Sequence, residues 1–438
     1  MSDSYSRISA VFYIINSMLG TGINFMPATF NNSGIILGFG MLFCVSCLTA
    51  FSIYILFRVA IKFQGEYEHI TFANLANPPY LRRMIDYSMV AASLFSAIGF
   101  QKFAKELFTL FISEFLPDKP PIFYKYLEIT ILLVITIIFT GLAMIKKIGN
   151  LKILSKLSVF CVTSLMIVLT VLNVFLPTSK IRNLKGTDNK MNYTFSLSWF
   201  IMSMYTQPNI PILFPHLEDK SQTNLIFISA IAAFCGFLIY GMAGFLGFNL
   251  LGQHIGTSDI MRIFLDNNSS LNNYLASNSD INSTISRILW YMTKYQGICA
   301  IIILMVGFPL RIAPATRYFK NFFSDRIKNT DGVHNIIVII EMFIITMVNL
   351  IPNISLNLIY GLLGPSAVGF LSFLFPSLLY FLYRDKKSAV KNIFSWIIML
   401  ASVVYCFYGC YTAFKNFCSV EINYEAPIAK ETLVTNQN

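Results

Sequence analysis

The chain has 438 residues, of which 55% are hydrophobic and 12% charged, and its mean hydropathy is +0.63. This composition lies far from that of soluble domains and places the chain in a lipid bilayer. The net charge of +11 comes from Lys and Arg residues that are dispersed over loops instead of gathered on one face, which argues against a nucleic acid partner.

Apolar stretches that can cross a bilayer recur along the whole chain, given that each transmembrane helix needs roughly 20 residues. We number the eleven predicted helices as spans 1 to 11, and they lie near residues 9–28, 34–57, 86–113, 126–145, 155–176, 194–215, 224–251, 286–310, 334–351, 356–383 and 392–414. The sequence therefore predicts an all-α polytopic membrane protein with a single transmembrane domain, residues 9–415.

The predicted topology follows from the distribution of positive charge among the loops. Lys and Arg concentrate in the loops after spans 2, 4, 8 and 10, and we count Arg311 with the loop after span 8. Because positively charged loops stay in the cytoplasm, residues 1–8 are predicted to be cytoplasmic and the tail 416–438 to lie on the other side. Whether the membrane is vacuolar, lysosomal or plasma is left open.

Span 1 carries polar and flexible residues at its centre. Asn16 and the triplet Gly20-Thr21-Gly22 interrupt the apolar run from Val11 to Pro27. An unwound stretch leaves backbone groups unpaired in hydrocarbon, which is expensive unless a cavity or a ligand satisfies them. The pattern therefore predicts a broken helix that lines a solute site at the bilayer midplane, which is typical of a transporter.

Span 6 is interrupted as well, because Pro208, Pro211 and Pro215 each remove a backbone donor. Broken helices at positions one and six, each the first of a group of five, indicate an inverted repeat with a shared site between its halves. Proline kinks without a function are the alternative interpretation. The predicted parts are repeat one at about 9–176, repeat two at about 194–383 and an extra helix at about 392–414.

Several sequence blocks resemble one family. Residues 16–23, Asn-Ser-Met-Leu-Gly-Thr-Gly-Ile, resemble the N-x-hydrophobic-hydrophobic-G-[ST]-G-I signature of the amino acid/auxin permease family. Further blocks resemble that family in the same order, at 207–219 in span 6, Phe308-Pro-Leu-Arg311 in span 8, and 361–367 with 375–377 in span 10. The resemblance implies a LeuT-type fold of five plus five helices and secondary active transport of amino acids, as in the family's vacuolar and neutral amino acid transporters.

In that fold the two breaks would form the substrate site. The half-helix at Gly20-Thr21-Gly22 offers free N–H groups and its positive end to an α-carboxylate, and free carbonyls near both breaks would receive the α-ammonium. The side-chain pocket, which includes residues 93–100 of span 3, is apolar or weakly polar and favours neutral amino acids. The candidate substrate-binding residues are Asn16, Ser17, Leu19, Gly20, Thr21, Gly22, Ile23, Met202, Ser203, Met204 and Tyr205.

Sodium-coupled relatives carry a hydroxyl residue in span 8 shortly before the Phe-Pro block, and this chain differs from them there. The stretch Cys299 to Val306 contains no Ser, Thr or Asp, so it offers sodium, a hard cation, only backbone oxygen. We therefore expect proton coupling or exchange instead of sodium coupling.

Ionisable residues inside the membrane are candidates for coupling because a buried charge is expensive. Glu106 of span 3 and Lys156 of span 5 are the candidates. The simpler interpretations are an ion pair of Glu106 with Lys102 and a topology anchor for Lys156. Glu341 of span 9 is interpreted as an interfacial residue.

Other classes of function find little support in the sequence. The four histidines share no ligand spacing and most cysteines lie within spans, so neither a metal site nor a cofactor is predicted. A membrane enzyme would need clustered acids and histidines, which the sequence lacks. An amino acid sensor without net flux would keep the same site and is the alternative to a transporter.

Overall fold

The computed structural model describes residues 4–62, 79–113, 115–116, 120–145, 151–176, 192–255, 258–267, 269–277, 283–323, 331–351, 356–383 and 389–424. Within these ranges the chain is helical apart from short connections. The extended pairing there is one isolated parallel bridge between Tyr5 and Leu217.

Helices occupy all eleven predicted positions. Of the described helices, eight are long and apolar enough to cross a membrane, and the bent pair that forms span 1 adds a ninth. Spans 3 and 6 complete the set, and span 6 is divided into short pieces. The uninterrupted spans are Ile35–Lys62, Pro79–Ser113, Pro121–Ala143, Leu151–Phe175, Gln222–Leu251, Ser283–Phe323, Asp331–Leu350 and Ala389–Tyr424.

The predicted break in span 1 is present in the structure. The span consists of the helices Arg7–Met18 and Gly22–Ser33, which meet at an angle of 65°. Leu19 between them is extended, with φ −61° and ψ 135°, so the helical hydrogen-bond ladder stops there. Carbonyl oxygens at the end of the first half and N–H groups at the start of the second half therefore lack helical partners.

The predicted break in span 6 is present as well. Its first helix, Tyr193–Ser203, ends at the break, and the chain continues through three short helical turns, Gln207–Asn209, Ile210–Leu213 and Phe214–His216. A proline lies in the first turn of each of these pieces, where its missing N–H would have had no helical acceptor. The prolines therefore divide the span instead of only kinking it.

Span 10 is irregular at its centre, which the sequence did not predict. Two π-helical segments, Gly364–Val368 and Phe370–Leu374, separate Leu356–Leu363 from Phe375–Tyr383. A Cβ atom on Gly364 would lie 2.8 Å from Cβ of Ser198 in span 6. The glycine thus permits a close approach of span 10 to the broken span.

Span 8 extends past its predicted end. The sequence placed it at 286–310, whereas the helix is Ser283–Phe323 and contains Pro309 and Pro314. Arg311 was predicted to lie in a cytoplasmic loop, and this assignment was wrong because the side chain is inside the helix and only 7% exposed. Residues 312–316 are apolar or small, so they continue the buried helix beyond the arginine.

Two short helices between spans 7 and 8, Ile260–Leu265 and Ser270–Ser277, pack against span 8, and the first of them also packs against span 3 and the second half of span 1. Asp259 begins the first of them, since its carboxylate accepts a hydrogen bond from the Arg262 backbone N–H at 2.8 Å, as a helix N-cap does. Burial raises the pKa of Asp259 to about 7, and Glu106 adds to the rise, whereas the Arg262 N–H opposes it.

The raised pKa of Asp259 predicts a pH-dependent stability. A carboxyl group whose pKa is higher in the folded state stabilises the fold fully in acid, and this stabilisation is lost as the pH rises through about 7. Asp259→Asn keeps the cap acceptor and removes the charge. We expect this variant to unfold several degrees above the wild type at pH 8, and the difference to shrink towards pH 4. Thermal midpoints from tryptophan fluorescence in detergent test this, and an equal gain at both pH values would contradict it.

The segment before span 1 closes the N-terminal face of the bundle against the end of span 6. The Tyr5 backbone N–H donates to the carbonyl of His216 at 2.7 Å. Arg7 lies 4.0 Å from Asp219 and donates to Oδ1 of Asn224 at 2.5 Å. These contacts join the start of span 1 to the end of span 6 and the start of span 7.

Candidate functional site

The two breaks face each other and enclose a small cavity. The space between the atoms of its lining residues is about 230 Å³, which includes space open to solvent. Spans 1, 3, 6, 8 and 10 supply the lining: Met18, Thr21, Gly22, Ser96, Phe100, Trp199, Met202, Ser203, Arg311 and Tyr360. The cavity thus lies where the two broken spans meet.

Arg311 supplies the charge of this cavity. Its Nη2 donates to the carbonyl of Met18 at 3.0 Å, and its Nη1 donates to the carbonyl of Tyr205 at 3.3 Å. Met18 ends the first half of span 1, and Tyr205 lies in the break of span 6, so both oxygens are ones that the breaks release. The guanidinium therefore joins the two broken spans through carbonyls that the breaks leave without helical partners.

The surroundings of Arg311 do not neutralise it. Among the described residues no carboxylate lies within 4.0 Å of the guanidinium. Its Cζ is 5.5 Å from the centre of the Phe100 ring, which is a cation–π distance. The Tyr240 hydroxyl shares the Met18 carbonyl, to which it donates at 2.8 Å. Since the cation is buried without a counter-charge, it retains its attraction for an anion.

Helix ends add partial charges of both signs. The second half of span 1 begins at Gly22 in the cavity wall, and Thr21 before it makes no side-chain cap. The free N–H groups of that turn carry partial positive charge. On the span 6 side, Ser203 ends a half-helix, whose C-terminal carbonyls carry partial negative charge. The site can thus attract a carboxylate near Gly22 and Arg311 and an ammonium group near Ser203.

Aromatic side chains form the rest of the wall. The Trp199 ring stacks on Phe25 with centroids 4.2 Å apart, and it meets Tyr360 edge-on at 4.8 Å. Thr21 Oγ1 is 3.0 Å from the Tyr360 hydroxyl, and this contact ties span 10 to the break of span 1. The remaining space is apolar apart from hydroxyl groups, which favours a solute with an uncharged side chain.

Two glycines of the predicted site lie where a side chain would not fit. A Cβ on Gly22 would overlap Oγ of Ser203 and lie 3.0 Å from its Cβ. A Cβ on Gly20 would lie 2.5 Å from Cζ of Phe100. The close approach of the first break to spans 3 and 6 therefore requires glycine at both positions.

The structure brings the predicted residues of both breaks together. Ser17 Oγ is hydrogen-bonded to Thr206 Oγ1 across the two spans, and Tyr205 contributes its carbonyl to Arg311. Predicted residues that line the cavity are Thr21, Gly22, Met202 and Ser203. Those that are buried beside the breaks without lining it are Asn16, Leu19, Gly20, Ile23 and Met204. Their roles in substrate binding stay predictions.

The predicted coupling residues are not among the lining residues. Glu106 is half-buried in span 3, and no ion pair within 4.0 Å joins it to Lys102 in the described part of the chain. Lys105 of span 3 instead forms an ion pair with Glu128 of span 4, at 3.2 Å. The side chain of Lys156 lies outside the described residues. The coupling role of both residues stays a prediction.

Sequence reasoning missed Met18, Trp199, Arg311 and Tyr360 as lining residues. The apolar and small residues after Arg311 indicate that its helix continues, but they do not indicate that its side chain turns inward. No sequence pattern indicated Trp199 and Tyr360, because aromatic residues are frequent throughout the spans and only packing decides which of them face the centre.

The fold and the cavity define a membrane transporter in which two interrupted helices, each the first of a group of five, frame a central solute site. The profile of the family described as transmembrane amino acid transporter protein matches residues 3–415, and the chain belongs to this family. Its fold is similar to the crystal structure of MhsT in complex with L-phenylalanine, with a TM-score of 0.57, 13% identity, and coverage of 94% of this chain and 100% of that chain. The predicted LeuT-type fold and amino acid transport are confirmed.

Proposed function

We propose that this transporter carries neutral amino acids without sodium, by proton coupling or exchange. The observation that carries the proposal is the bridge from Arg311 to the carbonyls of Met18 and Tyr205. It supplies a fixed cation at the meeting point of the two broken spans.

The substrate's orientation follows from the charges around the cavity. The α-carboxylate binds at the N–H groups that begin Gly22–Ser33 and near Arg311, and the α-ammonium binds at the carbonyl end of Tyr193–Ser203. Hydroxyl groups of Thr21 and Ser203 in the lining provide further hydrogen bonds. Recognition of both charged groups by backbone leaves the side-chain pocket to select among amino acids.

A neutral substrate is favoured by the rest of the lining. Phe100, Trp199 and Met202 offer apolar contact, and the lining residues include no acid that would pair with a cationic side chain. The buried guanidinium also repels such a side chain. L-phenylalanine in the crystal structure of MhsT supports this choice, because the two folds are similar.

Sodium coupling is disfavoured by the use of the carbonyl oxygens. Sodium is a hard cation that binds oxygen atoms, and the carbonyls released at the breaks already accept hydrogen bonds from Arg311. Span 8 has no hydroxyl between Cys299 and Val306 to complete a sodium site. A fixed guanidinium that stabilises the breaks removes the need for a bound ion there.

The membrane and topology belong to the same proposal. The N-terminal face is cytoplasmic because the loops rich in Lys and Arg follow spans 2, 4, 8 and 10. The closure of that face by Tyr5 and Arg7 then acts as the cytoplasmic gate. The protein resides in a vacuolar, lysosomal or plasma membrane.

Uptake by the purified protein in vesicles tests the function. Labelled neutral, cationic and anionic amino acids are offered with a sodium gradient, a proton gradient or a preloaded amino acid, each imposed separately. We expect uptake of neutral amino acids that responds to protons or to preloaded substrate and is unchanged when potassium replaces sodium. Strict dependence on sodium would overturn the coupling proposal, and saturable binding without flux would favour an amino acid sensor.

A further inference from the structure

Glu341 is a carboxyl group buried at the middle of span 9. It is the eleventh residue of the 20-residue helix Asp331–Leu350, and its exposure is 0%. The interfacial interpretation of this residue from sequence was therefore wrong. Burying an ionised carboxylate at such a depth costs free energy, so we expect this acid to serve a function.

The contacts of Glu341 leave it without a counter-charge. Its Oε2 is 2.6 Å from Oγ1 of Thr316 in span 8, and its Oε1 has no hydrogen-bond partner among the described residues. Among the described residues, no Lys or Arg nitrogen lies within 4.0 Å of the Glu341 carboxylate. The described Asp, Glu, Lys, Arg and His side chains of the helices packed on span 9, and of span 9 itself besides Glu341, are Arg83, Asp86, Lys102, Lys105 and Glu106 in span 3, Lys125 and Glu128 in span 4, Arg287, Lys294, Arg311 and Arg317 in span 8, and His334 in span 9.

The hydroxyl of Thr316 has two possible acceptors and one proton. Besides Glu341, it reaches the carbonyl of Ile312 in its own helix at 3.3 Å. When Glu341 is protonated, it donates to Thr316, which is then free to donate to Ile312. When Glu341 is ionised, it must accept, and Thr316 turns its proton away from Ile312 to the carboxylate. A proton on Glu341 therefore changes a hydrogen bond within span 8.

The affected part of span 8 is the part that holds Arg311. Ile312 follows Arg311 directly, and Pro314 lacks the N–H that would bond to the carbonyl of Leu310. The helix is thus weakly bonded between Leu310 and Thr316. A change in the Thr316 hydrogen bond acts on the segment that positions the guanidinium against both breaks.

We infer that Glu341 binds the proton that is exchanged during the transport cycle, and that Thr316 transmits its arrival to span 8. This inference rests on the proposed function and selects proton coupling over simple exchange. One proton from water on the side of higher proton concentration forms an O–H bond with the carboxylate, and this bond breaks when the proton passes to water on the other side. The gain from neutralising the carboxylate in the apolar interior of the bundle favours the state in which the proton is held.

Glu341→Gln tests the inference, because glutamine keeps the size and hydrogen-bonding ability of a protonated carboxyl group and cannot titrate. We expect this variant to exchange preloaded for external amino acid, while the ratio of uptake with and without an inward proton gradient falls to unity. Protons that enter with the amino acid, measured with a pH-sensitive dye inside the vesicles, disappear in parallel. Glu128→Gln, at a half-exposed carboxylate in the Lys105 pair, is the matched control and keeps the wild-type ratio.

Thr316 variants separate transmission from a purely structural role. Thr316→Val removes the hydroxyl and is expected to shift the pH at which uptake is half-maximal, whereas Thr316→Ser retains the wild-type value. A lower maximal rate with an unchanged pH profile would contradict transmission through Thr316. If Glu341→Gln does not fold, Glu341→Asp provides a second readout, because the shorter acid still titrates and is expected to shift the half-maximal pH; an unchanged half-maximal pH would then contradict the inference.

The failures of the two proposals are distinguishable. If the wild type carries amino acids at a rate that no proton gradient changes, or if Glu341→Gln retains its proton-driven uptake, the inference about Glu341 is overturned and amino acid transport stands. If the wild type shows neither uptake nor exchange with any gradient, the proposed function fails.

Discussion

Replacing Arg311 with glutamine is expected to lower amino acid uptake by about ten-fold or more. The guanidinium makes one hydrogen bond to each broken span, at 3.0 Å to Met18 and 3.3 Å to Tyr205. Hydrogen bonds of charged groups contribute about 1.5–3 kcal/mol each, and about 1.4 kcal/mol corresponds to a factor of ten. Glutamine is shorter and uncharged, so it can reach at most one of the carbonyls and cannot attract the substrate carboxylate.

Initial uptake rates in vesicles, normalised to the amount of inserted protein, measure this effect. Arg287→Gln is the matched control, since Arg287 lies in the same helix with its side chain exposed, and it keeps the wild-type rate. Arg311→Lys retains the charge without the planar fork that spans two acceptors, so an intermediate rate is expected. Wild-type uptake by Arg311→Gln would show that the bridge has no part in transport.

Substituting Gly22 with valine is expected to abolish transport without preventing insertion into the membrane. The Cβ of the valine would overlap Oγ of Ser203 and lie 3.0 Å from the Ser203 Cβ and 3.3 Å from its Cα. The two breaks would then have to separate, and the branched side chain would cover the N–H groups offered to the carboxylate. Binding of labelled amino acid to the purified variant is lost together with uptake.

Gly141→Val in span 4 is the control for the Gly22 variant, because no atom lies within 4 Å of the position that its Cβ would take. It is expected to insert and transport like the wild type. Gly22→Ala combined with Ser203→Ala should restore part of the uptake that Gly22→Ala alone loses, since the overlapping Oγ is removed. Normal transport by Gly22→Val would show that the first break is not part of the substrate site.

The interruptions of spans 1 and 6 could be predicted because local chemistry decides them. A glycine pair around Thr21 and three prolines after Gln207 disturb a helix wherever it lies, and hydrocarbon accepts a disturbed helix only beside a cavity. The residues of the breaks can therefore be located from the sequence without any tertiary contact. Thr21, Gly22, Met202 and Ser203 line the cavity for this reason.

Arg311 and Glu341 could not be placed in the same way. A charged residue near the end of an apolar stretch has the same local pattern whether it reaches the lipid headgroups or turns inward. The extension of span 8 to Phe323 buries Arg311, and the packing of span 9 on span 8 brings Glu341 to Thr316. Both outcomes depend on partners that are distant in the chain.

The contacts made by the irregular centre of span 10 could not be predicted from the sequence either. Gly364 and Pro365 indicate a weak point in the helix, but not that Gly364 meets Ser198 or that Tyr360 reaches Thr21. Such contacts are set by how the second half of the protein packs against the first. The lining supplied by Trp199 and Tyr360 therefore required the structure.

The sequence alone determined that this protein crosses the membrane repeatedly, that two of its helices are broken, and where the two breaks lie. These features follow from hydrophobicity and from the backbone properties of glycine and proline, which act within one helix. The tertiary structure alone decided which cation holds the breaks together and which acid lies beside the helix that carries it. Those assignments depend on the meeting of side chains from separate spans, because the contact partners of Arg311 and Glu341 come from different parts of the chain.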